Sequence, residues 1–295
     1  MEDFKSGFVS IIGMPNAGKS TLYNALLGEK LAIINPKAQT TRHRILGIKN
    51  GDGFQVIFSD TPGILHKTSY KMHEKMMRFV NESLRDSDVL ILLFDIKKPN
   101  LTEELVEKFK SSKAKKIVVL NKLDLSFQDE VTAVMNNLQK EFPADAYLSI
   151  SAEHKFQIEV LEKMVLDYLP IHPPYFPEDQ LTDRSERFFV NEIIRNNLLA
   201  LYDEEIPYSC EVITLSFKET NKIIRLSCEI VVERDSQKPI ILGKGGKKIK
   251  RLGIDSRKQL EEFFDKQVFL ETFVKVREEW RNNDKMLNQF GYNND

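Results

Sequence analysis

The chain has 295 residues, of which 41% are hydrophobic and 29% are charged, and its net charge at pH 7 is −1. This length and composition are typical of a globular protein with two domains. A net charge close to zero excludes a global attraction to nucleic acid, so any such binding must come from a local basic patch.

The two cysteines, Cys210 and Cys228, and the five scattered histidines have no metal-ligand spacing. We expect both cysteines to be small buried residues in a reducing compartment. The longest apolar run, VLILLF at 89–94, is too short to span a membrane, and the N-terminal MEDFKSGF has no signal-peptide pattern. The expected location is the cytoplasm.

From residue 7 to about residue 169, short β-rich runs alternate with segments of helical periodicity. This alternation predicts an α/β domain, placed at 1–170, with a mostly parallel sheet and helices on both faces. The turn sequence KNGDGF at 49–54 predicts a hairpin that adds one antiparallel edge strand. The predicted helices cover 19–28, 70–85, 102–112, 129–142 and 156–169.

The composition changes in LPIHPPYFPEDQLTD (169–183), which contains four prolines and has no clear period. We interpret residues 171–183 as a stiff linker. The remaining part, 184–295, follows a different order: a helix, two strands, a glycine–lysine loop, a long helix, a strand and a short helical tail. This order predicts an α+β domain.

The segment GMPNAGKS (13–20) fits the P-loop pattern, follows a predicted strand and opens a predicted helix. Glycine N–H groups and the helix N-terminus can hold phosphate there. Lys19 can reach the β- and γ-phosphates, Ser20 can ligate Mg²⁺, and Thr21 adds a hydroxyl. The predicted phosphate site consists of Gly13, Met14, Pro15, Asn16, Ala17, Gly18, Lys19, Ser20 and Thr21.

Three further segments each follow a predicted strand, and they indicate a guanine nucleotide. In DTPG, Asp60 can hold Mg²⁺ through water and the N–H of Gly63 can meet a γ-phosphate. In NKLD, the Asp124 carboxylate can accept the guanine N1–H and N2–H, and in SAE the N–H of Ala152 can reach O6. The predicted set is Asp60, Thr61, Pro62, Gly63, Ile64, Asn121, Lys122, Leu123, Asp124, Ser151, Ala152 and Glu153.

Taken in order, these motifs resemble the Ras-like GTPases of the translation-factor class. The resemblance implies that a threonine in AQTTRHR closes on Mg²⁺; Thr41 is the first choice and Thr40 the second. It implies a metal site of Ser20, Thr41 and Asp60, and a catalytic role for Asn16, Lys19, Thr41 and Gly63.

One position departs from the pattern of many GTPases, because Ile64 stands where a glutamine orients the attacking water. We therefore expect slow intrinsic hydrolysis. Asn16 is similar to the asparagine of potassium-activated GTPases, which implies stimulation by K⁺. The alternative is that Asn16 only supports the loop backbone.

A second glycine loop, GKGG at 243–246, does not fit the P-loop pattern and lies between helix-like segments. Such a loop can clamp about four nucleotides of single-stranded RNA, as KH domains do. Residues 236–260 hold eight Lys or Arg and one Asp, a local charge of +7; the alternative is a solvated basic helix after a glycine turn. The predicted RNA-binding residues are Gly243, Lys244, Gly245, Gly246, Lys247, Lys248, Lys250 and Arg251.

A Ras-like domain followed by a type II KH domain resembles the Era-type ribosome-assembly GTPases of bacteria, as do PKAQTTRHRILGI and RDSQKPIILGKGGKKIKRLG. The resemblance implies a monomer that binds 16S rRNA near its 3′ end and takes part in 30S subunit maturation. It also implies peripheral contact with the inner face of the cell membrane. The alternatives are a tRNA-modification or tandem-domain GTPase, which would need a different C-terminal part, and a non-switching RNA-binding scaffold.

Overall fold

This computed structural model describes residues 4–64 and 69–292. Internal contacts divide the described chain into two units. The first unit comprises 4–64 and 76–183, and the second comprises 69–75 and 184–292.

The first unit is an α/β domain with a six-stranded sheet of order β2-β3-β1-β4-β5-β6. Five strands run parallel, and β2 pairs antiparallel with β3, which confirms the predicted edge hairpin. Each predicted helix is present to within two residues at either end. The elements are β1 (Lys5–Gly13), α1 (Lys19–Leu27), β2 (Ile45–Gly51), β3 (Phe54–Asp60), α2 (Lys71–Asp86, of which 76–86 belong to this unit), β4 (Val89–Asp95), α3 (Glu103–Ser111), β5 (Lys115–Asn121), α4 (Gln128–Glu141), β6 (Ala146–Ser149) and α5 (Ile158–Tyr168).

The central strands are buried because their side chains are apolar on both faces, as in VLILLF of β4. The carboxyl ends of parallel strands meet at one edge of a sheet, where ligands of such folds bind. Polar or glycine residues occupy four of these ends: Gly13 of β1, Asp60 of β3, Asp95 of β4 and Asn121 of β5. The register therefore brings the sequence motifs together.

The proline-rich segment 171–183, predicted to be a stiff linker, packs on the edge of the first unit's sheet. The carbonyl of Leu181 accepts a 2.8 Å hydrogen bond from the N–H of Ile48 in β2, and Thr182 bridges to Gly47. Buried Gln55 of β3 accepts the N–H groups of Tyr175 and Phe176 at 2.8 and 3.0 Å. An edge strand has backbone N–H and C=O groups without a partner strand, and residues 181–183 supply hydrogen-bond partners to those of β2.

The second unit is an α+β domain with the predicted element order. Its sheet has the order β7-β8-β9, with β7–β8 antiparallel and β8–β9 parallel. Apolar residues of α6 and α8 pack on one face of this sheet, where Cys210 and Cys228 are buried as free thiols, as predicted. The elements are α6 (Glu186–Leu201), β7 (Glu211–Glu219), β8 (Ile223–Val232), α7 (Gln237–Leu242), α8 (Lys247–Phe264), β9 (Gln267–Val276) and α9 (Asp284–Gln289).

Among the described residues, no helix combines the length and the apolar character that crossing a membrane requires.

Candidate functional site

The phosphate loop joins β1 to α1 through a backbone that only particular residues can adopt. Gly18 has φ of +98°, and a Cβ there would lie 2.4 Å from Nδ2 of Asn121. Nζ of Lys19 donates to the carbonyls of Met14 and Gly13 at 2.9 and 3.1 Å. Burial lowers the pKa of Lys19 to about 8 against the opposing effect of Asp60. An anion in the loop would favour the charged ammonium.

Three oxygen-bearing side chains meet beside this loop. Oγ of Ser20 donates to Oδ2 of Asp60 at 2.8 Å, and Oγ1 of Thr41 donates to the same oxygen at 3.1 Å. The two hydroxyl oxygens are 3.0 Å apart. The hydroxyl of Thr40 instead donates to the carbonyl of Lys37 at 2.6 Å. Of the two candidate threonines, the structure brings Thr41 to the predicted metal residues.

The donor set of Ser20, Thr41 and Asp60 fits Mg²⁺, which prefers carboxylate and hydroxyl oxygens. Asp60 is fully buried, and its Oδ1 has no hydrogen-bond partner within the described part of the chain. Burial raises the pKa of Asp60 to about 6, although the Ser20 hydrogen bond and the charge of Lys19 oppose this effect. A buried carboxylate oxygen without a partner is costly unless a ligand occupies its free side.

A cavity of about 400 Å³ opens over the phosphate loop. Gly63 borders it, and a Cβ at Gly63 would lie 2.9 to 3.0 Å from Pro15, so the two backbones approach closely. The far wall is the segment before Thr41, of which sequence reasoning considered only Thr40, as the second choice for the metal threonine. It contributes Ile33, Ile34, Asn35, Pro36, Lys37, Gln39 and Thr40.

Asn16 connects the phosphate loop to this wall. It has φ of +64°, and its Nδ2 donates to the carbonyl of Pro36 at 2.9 Å. This is the one hydrogen bond of the Asn16 side chain within the described residues. The amide oxygen of Asn16 is therefore available as a ligand at the mouth of the cavity.

The predicted guanine-binding residues form a hydrogen-bonded group at the ends of β5 and β6. Oγ of Ser151 donates to Oδ1 of Asp124 at 2.5 Å, which orients the exposed carboxylate. Buried Asn121 donates to the carbonyl of Ala17 at 2.9 Å and accepts the N–H of Ala152 at 3.0 Å. The N–H predicted to reach guanine O6 is thus engaged by Asn121 in this structure.

Lys122 has a partner that sequence reasoning missed. Its Nζ donates to Oδ2 of Asp95 and to the carbonyl of Asn16, both at 2.7 Å. The signal was present, because Asp95 is a carboxylate at the end of an otherwise apolar strand next to β5. These two hydrogen bonds hold the Lys122 side chain over the phosphate loop, where it can pack on a base.

Two predicted nucleotide-site residues direct their side chains elsewhere. The hydroxyl of Thr61 is buried and donates to the carbonyl of Ile11 at 3.0 Å. Ile64 is only 3% exposed and belongs to the apolar core with Ile12 and Leu92. Neither side chain therefore offers a free polar group to the cavity.

The second glycine loop lies between α7 and α8. Gly243, Gly245 and Gly246 have φ of +70°, +60° and +74°, a region that favours glycine. A Cβ at Gly243 would lie 2.7 Å from the side chain of Lys248, whereas one at Gly245 or Gly246 would meet nothing within 4 Å. The loop is therefore tight on the protein side and open towards solvent.

Exposed cations surround this loop at Lys244, Lys247, Lys248 and Lys250. Nζ of Lys248 lies 5.5 Å from the centroid of the Tyr202 ring. Arg251 differs from the others because its Nε donates to Asp255 at 2.6 Å. This exposed ion pair partly offsets the charge that Arg251 offers to a ligand.

Comparison with known proteins assigns both units. A model described as 50S ribosome-binding GTPase matches residues 8–122, and a KH domain model matches 205–281. GTPase Era of Syntrophus aciditrophicus is 45% identical over 294 residues, with 98% of this chain and 96% of that protein covered. The chain belongs to the Era family of GTPases. A chloroplastic Era-like GTPase of Oryza sativa is 40% identical over 98% of this chain and 69% of its own.

Solved Era structures share the fold of the whole chain. Era in complex with MgGDPNP and nucleotides 1506–1542 of 16S ribosomal RNA has a TM-score of 0.91 and 36% identity, and the match covers 98% of this chain and 99% of that one. A single-residue variant of Aquifex aeolicus Era bound to GDP.AlF4⁻ gives the same values. The match to Era over nearly the whole chain argues against the tRNA-modification and tandem-domain classes.

Proposed function

We propose that this Era-family GTPase binds single-stranded 16S rRNA near its 3′ end and assists maturation of the 30S subunit, with the GTP or GDP state controlling RNA binding. The observation that carries the proposal is the loop Gly243–Gly246, whose open glycine backbone and exposed lysines lie at the start of the 18-residue helix α8. The related Era with bound 16S rRNA supports the same ligand.

In the nucleotide site, Lys19 and the backbone of the phosphate loop would hold the β- and γ-phosphates. Ser20, Thr41 and Asp60 would hold Mg²⁺, which supplies charge neutralisation between the phosphates. Because Thr41 contacts Asp60, the position of the segment before β2 would depend on which nucleotide and metal ion are bound. Asp124, oriented by Ser151, would select guanine.

The burial of Ile64 supports slow intrinsic hydrolysis, because no polar side chain at that position orients a water. We propose that a bound K⁺ raises the rate of hydrolysis and so compensates for the missing polar side chain at position 64. Asn16 supports this role since its amide reaches from the phosphate loop to the carbonyl of Pro36. Amide and carbonyl oxygens are ligands of the kind that hard cations prefer.

Control by the nucleotide is supported by the path from Thr41 to the second unit. Thr41 lies four residues before β2, and β2 pairs with residues 181–183. The second unit continues from Arg184. A change at Thr41 would therefore act on the strand that pairs with the residues before the second unit.

The test is a binding titration with the double variant Lys244→Asp, Gly245→Asp. Carboxylates in the loop repel the RNA backbone, so binding of single-stranded 16S rRNA 3′-end oligonucleotide should be lost while GTP affinity is unchanged. The control is Lys285→Asp, an exposed lysine of α9. RNA affinity equal to wild type in the double variant would refute the proposal.

The 30S subunit, the monomeric state, the cytoplasmic location and the peripheral membrane contact stay predictions. Co-sedimentation with purified 30S subunits and with anionic lipid vesicles measures two of them directly.

A further inference from the structure

The outer face of the second unit's sheet is buried at Glu211, Glu229 and Val231, but it is exposed along β9, at the start of β8 and at the end of β7. Val268, Leu270 and Val274 of β9 pack in the core, so the alternate residues lie on the opposite face. On that face Phe269 is 44% exposed and Phe273 is 53% exposed. Two large aromatic side chains four residues apart on one strand face are separated by about 13 Å.

Two cations lie directly opposite each other beside Phe269. The strand register pairs Lys218 of β7 with Arg225 of β8, and Arg225 with Phe269. The Arg225 guanidinium lies 5.3 Å from the centroid of the Phe269 ring. The three side chains therefore form a row across the sheet, two cations followed by an aromatic ring.

This row is electrostatically unfavourable by itself, because like charges directly opposite on a sheet destabilise it. Other cations of this sheet have carboxylate partners: Lys266 pairs with Glu219, and Arg277 pairs with Glu229 at 2.6 Å. Neither Lys218 nor Arg225 forms an ion pair with a carboxylate of the described chain. An anionic ligand would remove the repulsion.

The combination of unpaired cations and exposed phenylalanine rings matches single-stranded nucleic acid, whose phosphates need cations and whose bases stack on aromatic faces. Glu271 lies on the same face between the two rings. Its carboxylate can accept hydrogen bonds from base amino groups. A purely anionic partner would be repelled by Glu271, whereas a base can use it.

We propose that the face formed by Lys218, Arg225, Phe269, Glu271 and Phe273, the outer sheet face, is a second binding surface for single-stranded RNA. It takes nucleotides beyond the approximately four held at Gly243–Gly246. The inference rests on the proposed RNA binding of that loop. A single RNA would contact both surfaces. The outer sheet face would therefore add to the binding affinity only for RNAs longer than the loop itself can hold.

The test compares an RNA of about four nucleotides with one of about 16 nucleotides. The double variant Lys218→Ala, Arg225→Ala should bind the longer RNA at least about tenfold more weakly, with a log–log salt slope shallower by about 0.7 per lost phosphate contact. Its affinity for the short RNA should equal that of wild type. Lys285→Ala on α9 is the control and should change neither affinity.

Substitution of the rings tests stacking separately from charge. Phe273→Tyr should keep the affinity for the longer RNA, because tyrosine retains the ring. Phe273→Leu should lower it roughly tenfold, within the range measured when a stacked base loses its aromatic partner.

The outcomes separate the two proposals. Failure of the wild-type chain to bind either RNA would refute the RNA-binding function itself. Wild-type binding with an unchanged affinity of the double variant for the longer RNA would overturn only the outer sheet face. Loss of a concentration-dependent dimer in that variant, with unchanged RNA affinity, would assign the face to a second copy of the chain and also overturn the proposal.

Discussion

The backbone N–H of Leu46 donates a 2.9 Å hydrogen bond to Oδ1 of Asp183, a residue 137 positions later in the chain. Leu46 lies five residues after Thr41, which contacts the predicted Mg²⁺ carboxylate Asp60. Asp183 directly precedes the second unit. One hydrogen bond therefore connects the strand after the nucleotide site to the residue from which the second unit continues.

Loss of this contact should uncouple RNA affinity from the nucleotide. In Asp183→Ala, the ratio of RNA affinities measured with GDPNP and with GDP should move towards one, because β2 loses its contact with the last residue before the second unit and keeps only those to residues 181 and 182. Coupling energies are typically about 1–3 kcal/mol, so a change of fivefold or more is expected. Asp183→Asn keeps an acceptor for Leu46 and should retain the wild-type ratio. An Asp183→Ala ratio equal to wild type would exclude this path.

Replacement of Gln55 by methionine should destabilise the first unit. Gln55 Nε2 also donates to the carbonyl of Phe176 at 2.8 Å, so the apolar side chain leaves the backbone of residues 175 and 176 unpaired. These groups are part-buried, so each one left unpaired costs at most about 1–3 kcal/mol. Calorimetry should show a lower Tm for the transition that GDP shifts, since ligand binding identifies the first unit. Gln289→Met, at an exposed position of α9, should leave both transitions unchanged.

Asp124→Asn should change the base preference. The carboxylate accepts two guanine donors, and the loss of that charge-assisted pair should weaken GTP by about 2–3 kcal/mol. Xanthosine triphosphate presents an acceptor to the new amide and should bind the variant better than GTP. Isothermal titration calorimetry of the wild type and the variant with both nucleotides measures this change in base preference. Equal GTP affinity in the variant and the wild type would contradict guanine recognition by this residue.

Hydrolysis should be faster in K⁺ than in Na⁺ at equal chloride and equal ionic strength. Asn16→Ala removes the amide that reaches Pro36 and should abolish the difference. GTP affinity is measured alongside turnover, so that a loss of binding is not mistaken for a loss of stimulation. Coinciding wild-type rates in the two salts would show that Asn16 only supports the loop.

Local sequence alone predicted both fold classes, the helices of the first unit to within two residues, the edge hairpin and the order of the second unit. These features depend on hydrophobic period, turn residues and glycines, which act over a few neighbouring positions. The nucleotide motifs were predictable for the same reason: each follows a strand, and parallel strands end at one edge of the sheet.

Tertiary structure decided the features that join distant segments. Thr40 and Thr41 are adjacent and chemically identical, and only the position of Asp60 distinguishes them. The prolines of 169–183 indicate stiffness, but the hydrogen bonds to Gln55 and β2 decide that this segment belongs to the first unit. The Lys218–Arg225–Phe269 row exists only through strand register, because side chains far apart in sequence become neighbours when their strands pair.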